Sequence, residues 1–344
     1  MTVNPHPDPV YGAIEYVDET VFDRPVLLVV IDTEEEFEWG KPHSRSSTGV
    51  SSMRHIHRVQ TLFDARGVRP CYVMDYPVVS QADGAAPLLE IYQDDRCTTG
   101  AHLHPWVTPP YEEEVTAFNS FPGNLPADLE YRKLKVLSEE IGSVFGDAPT
   151  VYKAGRYGVG RNTVRTLERL QLTTDLSVTP GFDYSGSGGP DFSRHGNRPF
   201  RYGEDKASLC LPCTGGFVGY LGDRARPVYQ ACSSPRGKRL RLPGILSRLG
   251  AVERLRLSPE GYSLDEMIRL TEHLLKKPHT KILTLSFHSP SVKPGCTPYV
   301  RNDRELDVFL GVIADYLDYF ISEKQGIPMS PQEVYARQRS GMQS

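Results

Sequence analysis

The stretch Val26-Leu27-Leu28-Val29-Val30-Ile31-Asp32-Thr33-Glu34-Glu35-Glu36 runs six apolar residues straight into acid. A continuous β-branched run of this kind reads as a strand buried on both faces, the habit of a parallel sheet. A strand that stops at a charge delivers that charge to the rim, where α/β sheets and barrels gather their chemistry. Ile282-Leu283-Thr284-Leu285-Ser286-Phe287-His288 repeats the pattern and ends in an imidazole. Between them lies Gly100-Ala101-His102-Leu103-His104-Pro105-Trp106.

Outward from these segments, buried strands alternate with amphipathic helices. Strands are predicted at 25–31, 68–74, 97–101, 149–154, 173–178, 208–212 and 281–287. Helices are predicted over 52–66, 126–145, 162–170, 263–276 and 302–322. Gly67 is a stop signal for the first helix, and Ser263-Leu264-Asp265-Glu266 is a capping box for the fourth. The alternation argues for a parallel α/β architecture. Residues 1–24 read as an irregular lead-in, 25–325 as one domain and 326–344 as a tail. A long segment around 181–260, rich in Gly, Ser, Pro and Arg, breaks the rhythm and reads as an insertion.

Bulk composition narrows the class. The chain has 344 residues and a formal charge of −4, which gives no basic excess for nucleic acid. No stretch approaches the roughly 18 apolar residues of a membrane span. The N-terminus has no secretion core, so a cytoplasmic protein is expected. Six scattered cysteines fit a reducing compartment. Cys210 and Cys213 have CxxC spacing but no second pair, and read as ordinary core or surface residues.

Four predicted strand ends carry ionisable groups: Asp32, His102, Arg156 and His288. Asp32 and Glu34 are two apart, so on extended backbone both face one side. One carboxylate can bind a metal while the other takes a proton from water. His102 and His104 stand in the same relation and can chelate one ion, which with Glu34 makes a two-histidine–one-carboxylate set. His55 and His57 fall mid-helix, where positions two apart diverge, and are rejected. His288 reads as a metal ligand, a general acid or a satisfied core residue. Arg156 beside Asp32 would hold that carboxylate ionised. Asp175 reads as orienting His288 or Arg156, or as capping a turn before Ser177. The basic run Arg236-Gly237-Lys238-Arg239-Leu240-Arg241, with Arg248, Arg254 and Arg256, reads as a solvated helix face.

The segments "VVIDTEEEFEW", "GAHLHPWVTPP", "YKAGRYGVG", "TTDLSVTPGFDYS" and "LTLSFHSPSVKPGCTPYVRN" together resemble the polysaccharide deacetylases with NodB homology, carbohydrate esterase family four, in a WalW-like cytoplasmic branch. The resemblance implies a distorted (β/α)7 barrel over roughly 25–325. It implies Asp32 as catalytic base, Glu34, His102 and His104 as metal ligands, Arg156 as the brace of the base, and His288 as the acid. Asp-Thr-Glu replaces the family's adjacent aspartates, and two histidines two apart replace a pair four apart. That second change leaves His104 open as a ligand or as a group behind one. The expected activity is metal-dependent hydrolysis of a non-peptide amide C–N bond, N-deacetylation of an amino sugar or glycoconjugate precursor, with Zn²⁺ or another divalent ion. The alternatives are a non-catalytic carbohydrate-binding or regulatory barrel, and a deformylase or hydrolase of a non-sugar amide.

Overall fold

The apolar run at 26–31 extends through Thr33 as one strand in which every residue is buried. The computed structural model that contains it describes residues 7–220 and 251–340, with Tyr229, Cys232 and Arg239 between them. In chain order the elements are β1 (Glu15–Tyr16), β2 (Val26–Thr33), α1 (His57–Asp64), β3 (Cys71–Met74), α2 (Tyr76–Ser80), α3 (Ala82–Gln93) and β4 (Thr98–Leu103). Then come α4 (Ala127–Phe145), β5 (Val151–Ala154), α5 (Arg161–Arg169), β6 (Thr174–Asp175), β7 (Phe200–Tyr202), β8 (Ser208–Cys210), β9 (Gly215–Val218) and β10 (Glu253–Arg256). The chain closes with α6 (Leu264–Leu275), β11 (Ile282–His288), α7 (Asp303–Asp318), β12 (Ile327–Pro328) and α8 (Pro331–Ser340).

Parallel pairing runs in the order β11-β2-β3-β4-β5-β6-β8. The strand ends of one sheet edge therefore share one side, and helices in the connections cover the apolar faces. α4 shows the local logic: Leu134, Leu137 and Ile141 are fully buried at helical spacing. It stops at Gly146, whose φ of +89° is a conformation that side chains resist. At α6 the Ser263–Glu266 capping box forms reciprocally.

β8 and β11, the ends of the parallel run, share no ladder. Side chains strap the gap. The Thr284 N–H donates to Thr214 Oγ1 at 2.7 Å, and Thr284 Oγ1 donates to the Pro212 carbonyl at 3.0 Å. Past the strap, β9 and β10 form a separate antiparallel pair.

The structure departs from the sequence-based expectation in three places. The lead-in carries β1, which pairs antiparallel with β7, and Tyr11, which is buried in the core. The stretch read as a tail carries β12, which pairs with residues 26–27 of β2, and α8. Both stretches complete sheet pairing that the flanking strands leave open. Helices α2 and α3 fill 76–93, where Pro77 and Pro87 obscure the helical pattern. Of the basic run, Arg239 is exposed and Arg254 and Arg256 stand on β10; the remainder lies outside the described residues. All six cysteines are free, and Cys210 and Cys213 are both fully buried.

Thr214→Val would leave the buried Thr284 N–H without its acceptor. Urea denaturation should show a loss of about 1–3 kcal/mol with an unchanged slope. An unmoved midpoint would remove the strap from the account.

Candidate active site

Ladder register puts the charged groups at one level. His288 on β11 is paired with Asp32 on β2, and His102 on β4 with Lys153 on β5. Lys153, fully buried, reaches Asp32 with its ammonium 2.5 and 2.8 Å from the two carboxylate oxygens. Burial pushes the Asp32 carboxyl up, but Lys153, with His102 and His288 behind it, overrides this and holds it at about 2. Asp32 is an anion at every working pH.

Lys153 thus has the position expected for Arg156. Arg156 falls after the strand has ended, in a turn where it and Tyr157 both take positive φ, 55° and 59°. Its guanidinium donates to Ser120 Oγ and to the Ala117 carbonyl at 3.2 Å, and stacks 4.0 Å from the Phe121 ring centroid. Asp175 stays behind the site. It accepts from Tyr11 OH at 2.5 Å and from the Ser177 N–H at 2.9 Å, so of its three expected roles it takes the turn before Ser177.

Glu34, His102 and His104 converge, all buried. His102 Nδ1 donates to the Lys153 carbonyl at 2.9 Å, and His104 Nδ1 donates to Glu35 Oε2 at 2.7 Å. Each ring is thereby left with its Nε2 lone pair facing Glu34, at 3.6 and 3.5 Å from Oε2. Those separations are too long for hydrogen bonds and suit ligands around one ion. Glu34 Oε1 is buried with no hydrogen-bond partner, and burial, with Glu35 and Asp32 nearby, drives its carboxyl well above the usual range. Burial pulls His104 down to about 4 and His102 well below its usual value, so both are neutral. Two neutral imidazoles and an orphaned carboxylate fit a divalent cation. At Gly155 a Cβ would lie 2.4 Å from the Leu103 carbonyl and 2.5 Å from His104 Cδ2, so only glycine admits the ring.

A second cluster, Glu35, Asp75 and His104, also has ligand spacing. Its atoms already have partners. Glu35 Oε1 accepts from Trp106 Nε1 at 2.8 Å, and Asp75 accepts from the Glu35 N–H at 2.7 Å and the Val78 N–H at 2.9 Å. These carboxylates orient His104 from behind.

His288 donates Nδ1 to Glu260 Oε2 at 2.6 Å, and its Nε2 lies 3.7 Å from Asp32 Oδ2. Burial favours the neutral ring, but Glu260 and then Asp32 outweigh it and raise its pKa. A cavity of about 560 Å³ opens over Asp32, Glu34, His102, His104 and His288, walled by Trp39, Tyr157 and Tyr299.

The sequence reading missed Lys153, Glu35, Asp75 and Glu260. A lysine inside the apolar run Val151–Ala154, and an aspartate just past Met74, were visible signals of the same kind as Asp32. Glu260 sits in a loop after Pro259 and gave none.

No protein-family profile matches the chain, and no curated protein does. Solved structures do. A protein from Mycobacterium smegmatis described as a polysaccharide deacetylase aligns over 93% of this chain and 92% of its own, with TM-score 0.54 and 11% identity. One from Parabacteroides distasonis, described as a glycoside hydrolase/deacetylase, aligns over 94% and 72%, with TM-score 0.59 and 11% identity. A 4-alpha-glucanotransferase from Thermococcus litoralis aligns over 91% of this chain and 40% of its own, with TM-score 0.51 and 11% identity. At these identities the likeness is one of fold, and the fold carries more than one chemistry.

Lys153→Met leaves the buried Asp32 carboxyl without its counter-ion, so that it must take up a proton or remain an unpaired charge, and should cost about 3–5 kcal/mol of stability. Adding Asp32→Asn should recover most of the loss. Thermal or urea melts of the two variants decide it; equal loss in both would mean that the pair is not coupled.

Proposed function

We propose that the chain is a metal-dependent hydrolase of a non-peptide amide bond, an N-deacetylase of an amino sugar or glycoconjugate precursor. One observation carries this reading. Two Nε2 lone pairs and the orphaned Glu34 carboxylate meet beside an acid–base pair whose members are separately held, Asp32 by Lys153 and His288 by Glu260. A carbohydrate-binding module has no need of such opposed proton tuning. The parallel run β11-β2-β3-β4-β5-β6-β8 and the Thr214–Thr284 strap support a distorted barrel built mainly from 25–325, to which β1, β12 and α8 add from either side. Among the described residues no helix is long and apolar enough to cross a membrane.

Glu34, His102 and His104 would hold the ion, Zn²⁺ or another divalent metal. Such an ion supplies Lewis acidity to water and to the acyl oxygen. Asp32 accepts the proton of the attacking water on a carboxylate oxygen. Lys153 keeps that oxygen free of a proton beforehand, at the expense of basicity. His288, protonated because Glu260 favours the imidazolium, gives its Nε2 proton to the departing amine. Its Nδ1 stays bound to Glu260, which fixes the ring during the transfer.

Purified protein should carry about one divalent ion per chain, and His102→Ala or Glu34→Ala should lose it with the fold intact. His288→Ala should keep the ion and lose about 10²–10⁴-fold in turnover of acetylated amines. Loss of the ion in His288→Ala would make that residue a ligand and leave the acid unassigned. Full metal with no hydrolysis of any acetylated or formylated amine would favour a binding protein.

The pH profile follows from the shifts. Asp32 remains ionised down to about 2, so it sets no acid limb near neutrality. His288 must be protonated to act, so kcat/KM falls as pH rises through its raised pKa. Glu260→Gln removes the group that raises it and should move the alkaline limb to lower pH. An alkaline limb unmoved by that substitution would assign it to another group.

A further inference from the structure

Among the described residues, the charges around the cavity do not pair off. Asp32 is matched by Lys153 and Glu260 by His288, while Glu34 faces two imidazoles. Two guanidinium groups in the wall, Arg156 and Arg256, have no carboxylate within ion-pair distance among the described residues.

Arg256, at the end of β10, is the more informative. It donates from Nη1 to Tyr157 OH at 3.0 Å and from Nη2 to Tyr184 OH at 2.9 Å. Its Nε is buried with no hydrogen-bond partner. The guanidinium plane sits 4.3 Å from the Phe182 ring centroid and 5.0 Å from that of Tyr157. The Tyr157 and Tyr184 rings stack at 5.6 Å and 18°. Stacked aromatic rings fix the fork in place without neutralising it. Both phenol oxygens accept from Arg256, so each hydroxyl keeps its own proton to donate elsewhere. Two kinds of donor, the guanidinium groups of Arg256 and Arg156 and the two phenols, thus line one cavity, and among the described residues no carboxylate lies within ion-pair distance of either guanidinium. The same Tyr157 ring lies 5.2 Å from the Lys153 ammonium that holds Asp32, which joins this donor set to the reacting end of the cavity.

We propose that the cavity binds a substrate bearing an oxyanion group, a carboxylate or a phosphate, seated on Arg256 with Arg156 and the Tyr157 and Tyr184 hydroxyls. The identity of the bond cut beside it rests on the deacetylase reading; the anion seat does not. A half-buried guanidinium with its Nε shut off from water discriminates by charge, because an analogue without the anion leaves it unpaired.

Binding of three non-reacting amines to the metal-loaded protein tests this by calorimetry: glucosamine, glucosamine 6-phosphate and muramic acid. The phosphate and the carboxylate arms separate the two sources of oxyanion. At least one anionic amine should bind about 10- to 100-fold more tightly than glucosamine, the worth of a charge-assisted hydrogen-bonded pair. Arg256→Gln should bring that affinity down to the glucosamine level while leaving glucosamine itself unchanged. Equal affinities in the unaltered protein, no binding of any of the three, or a uniform loss of all three in the variant, would overturn the proposal. Should Arg256→Gln fail to fold, Arg156→Gln reads the same ratio. Turnover of the N-acetyl forms is scored separately. A charge preference in binding without hydrolysis would sink the deacetylase reading and leave the anion seat standing.

Discussion

A lysine and an aspartate in contact inside a closed core decide what the rest of this site is able to do. A buried ion pair adds little net stability, because desolvation of two charges offsets their attraction. Its effect lies in ionisation. Without Lys153, the buried Asp32 would take up a proton; with it, the carboxylate stays charged where water is scarce. The pair is also a structural key. Asp32 is the ladder partner of His288 and Lys153 is the ladder partner of His102, so one contact ties four strands at the level where the chemistry gathers.

Three imidazoles surround that contact, and each has its Nδ1 committed. The partner differs and so does the outcome. A peptide carbonyl behind His102 and burial around His104 leave neutral rings that point Nε2 lone pairs inward. A carboxylate behind His288 leaves a ring that favours the proton. Under the proposed function one residue type would serve as ligand and as acid; a carboxylate stands behind both His104 and His288, and it is burial that keeps the His104 ring neutral. Fold likeness cannot supply this distinction, since the same architecture is found in a glucanotransferase.

The sheet was legible because buried parallel strands write themselves as unbroken apolar runs, and because a charge at the end of such a run is conspicuous. Asp32, Glu34, His102, His104 and His288 were all found that way. Helices α2 and α3 were hidden by their prolines, and β1 and β12 are only two residues long. Arg156 drew attention by its glycine neighbours, while Lys153, three residues earlier, had the reach and the register to touch Asp32. Glu260 could not be read at all. Its role depends on a loop after β10 returning to β11, a contact that no local pattern encodes.

The turn at Arg156 and Tyr157 holds two consecutive side-chain-bearing residues in left-handed backbone, each about 1–2 kcal/mol above its relaxed state. Tyr157 is held there by Arg256, by the Lys153 ammonium and by the Tyr184 ring, and Arg156 by Ser120, Ala117 and Phe121. That one turn seats Tyr157 between Arg256 at the mouth of the cavity and the Lys153 ammonium on its floor, so a single strained bend sets the distance between the two.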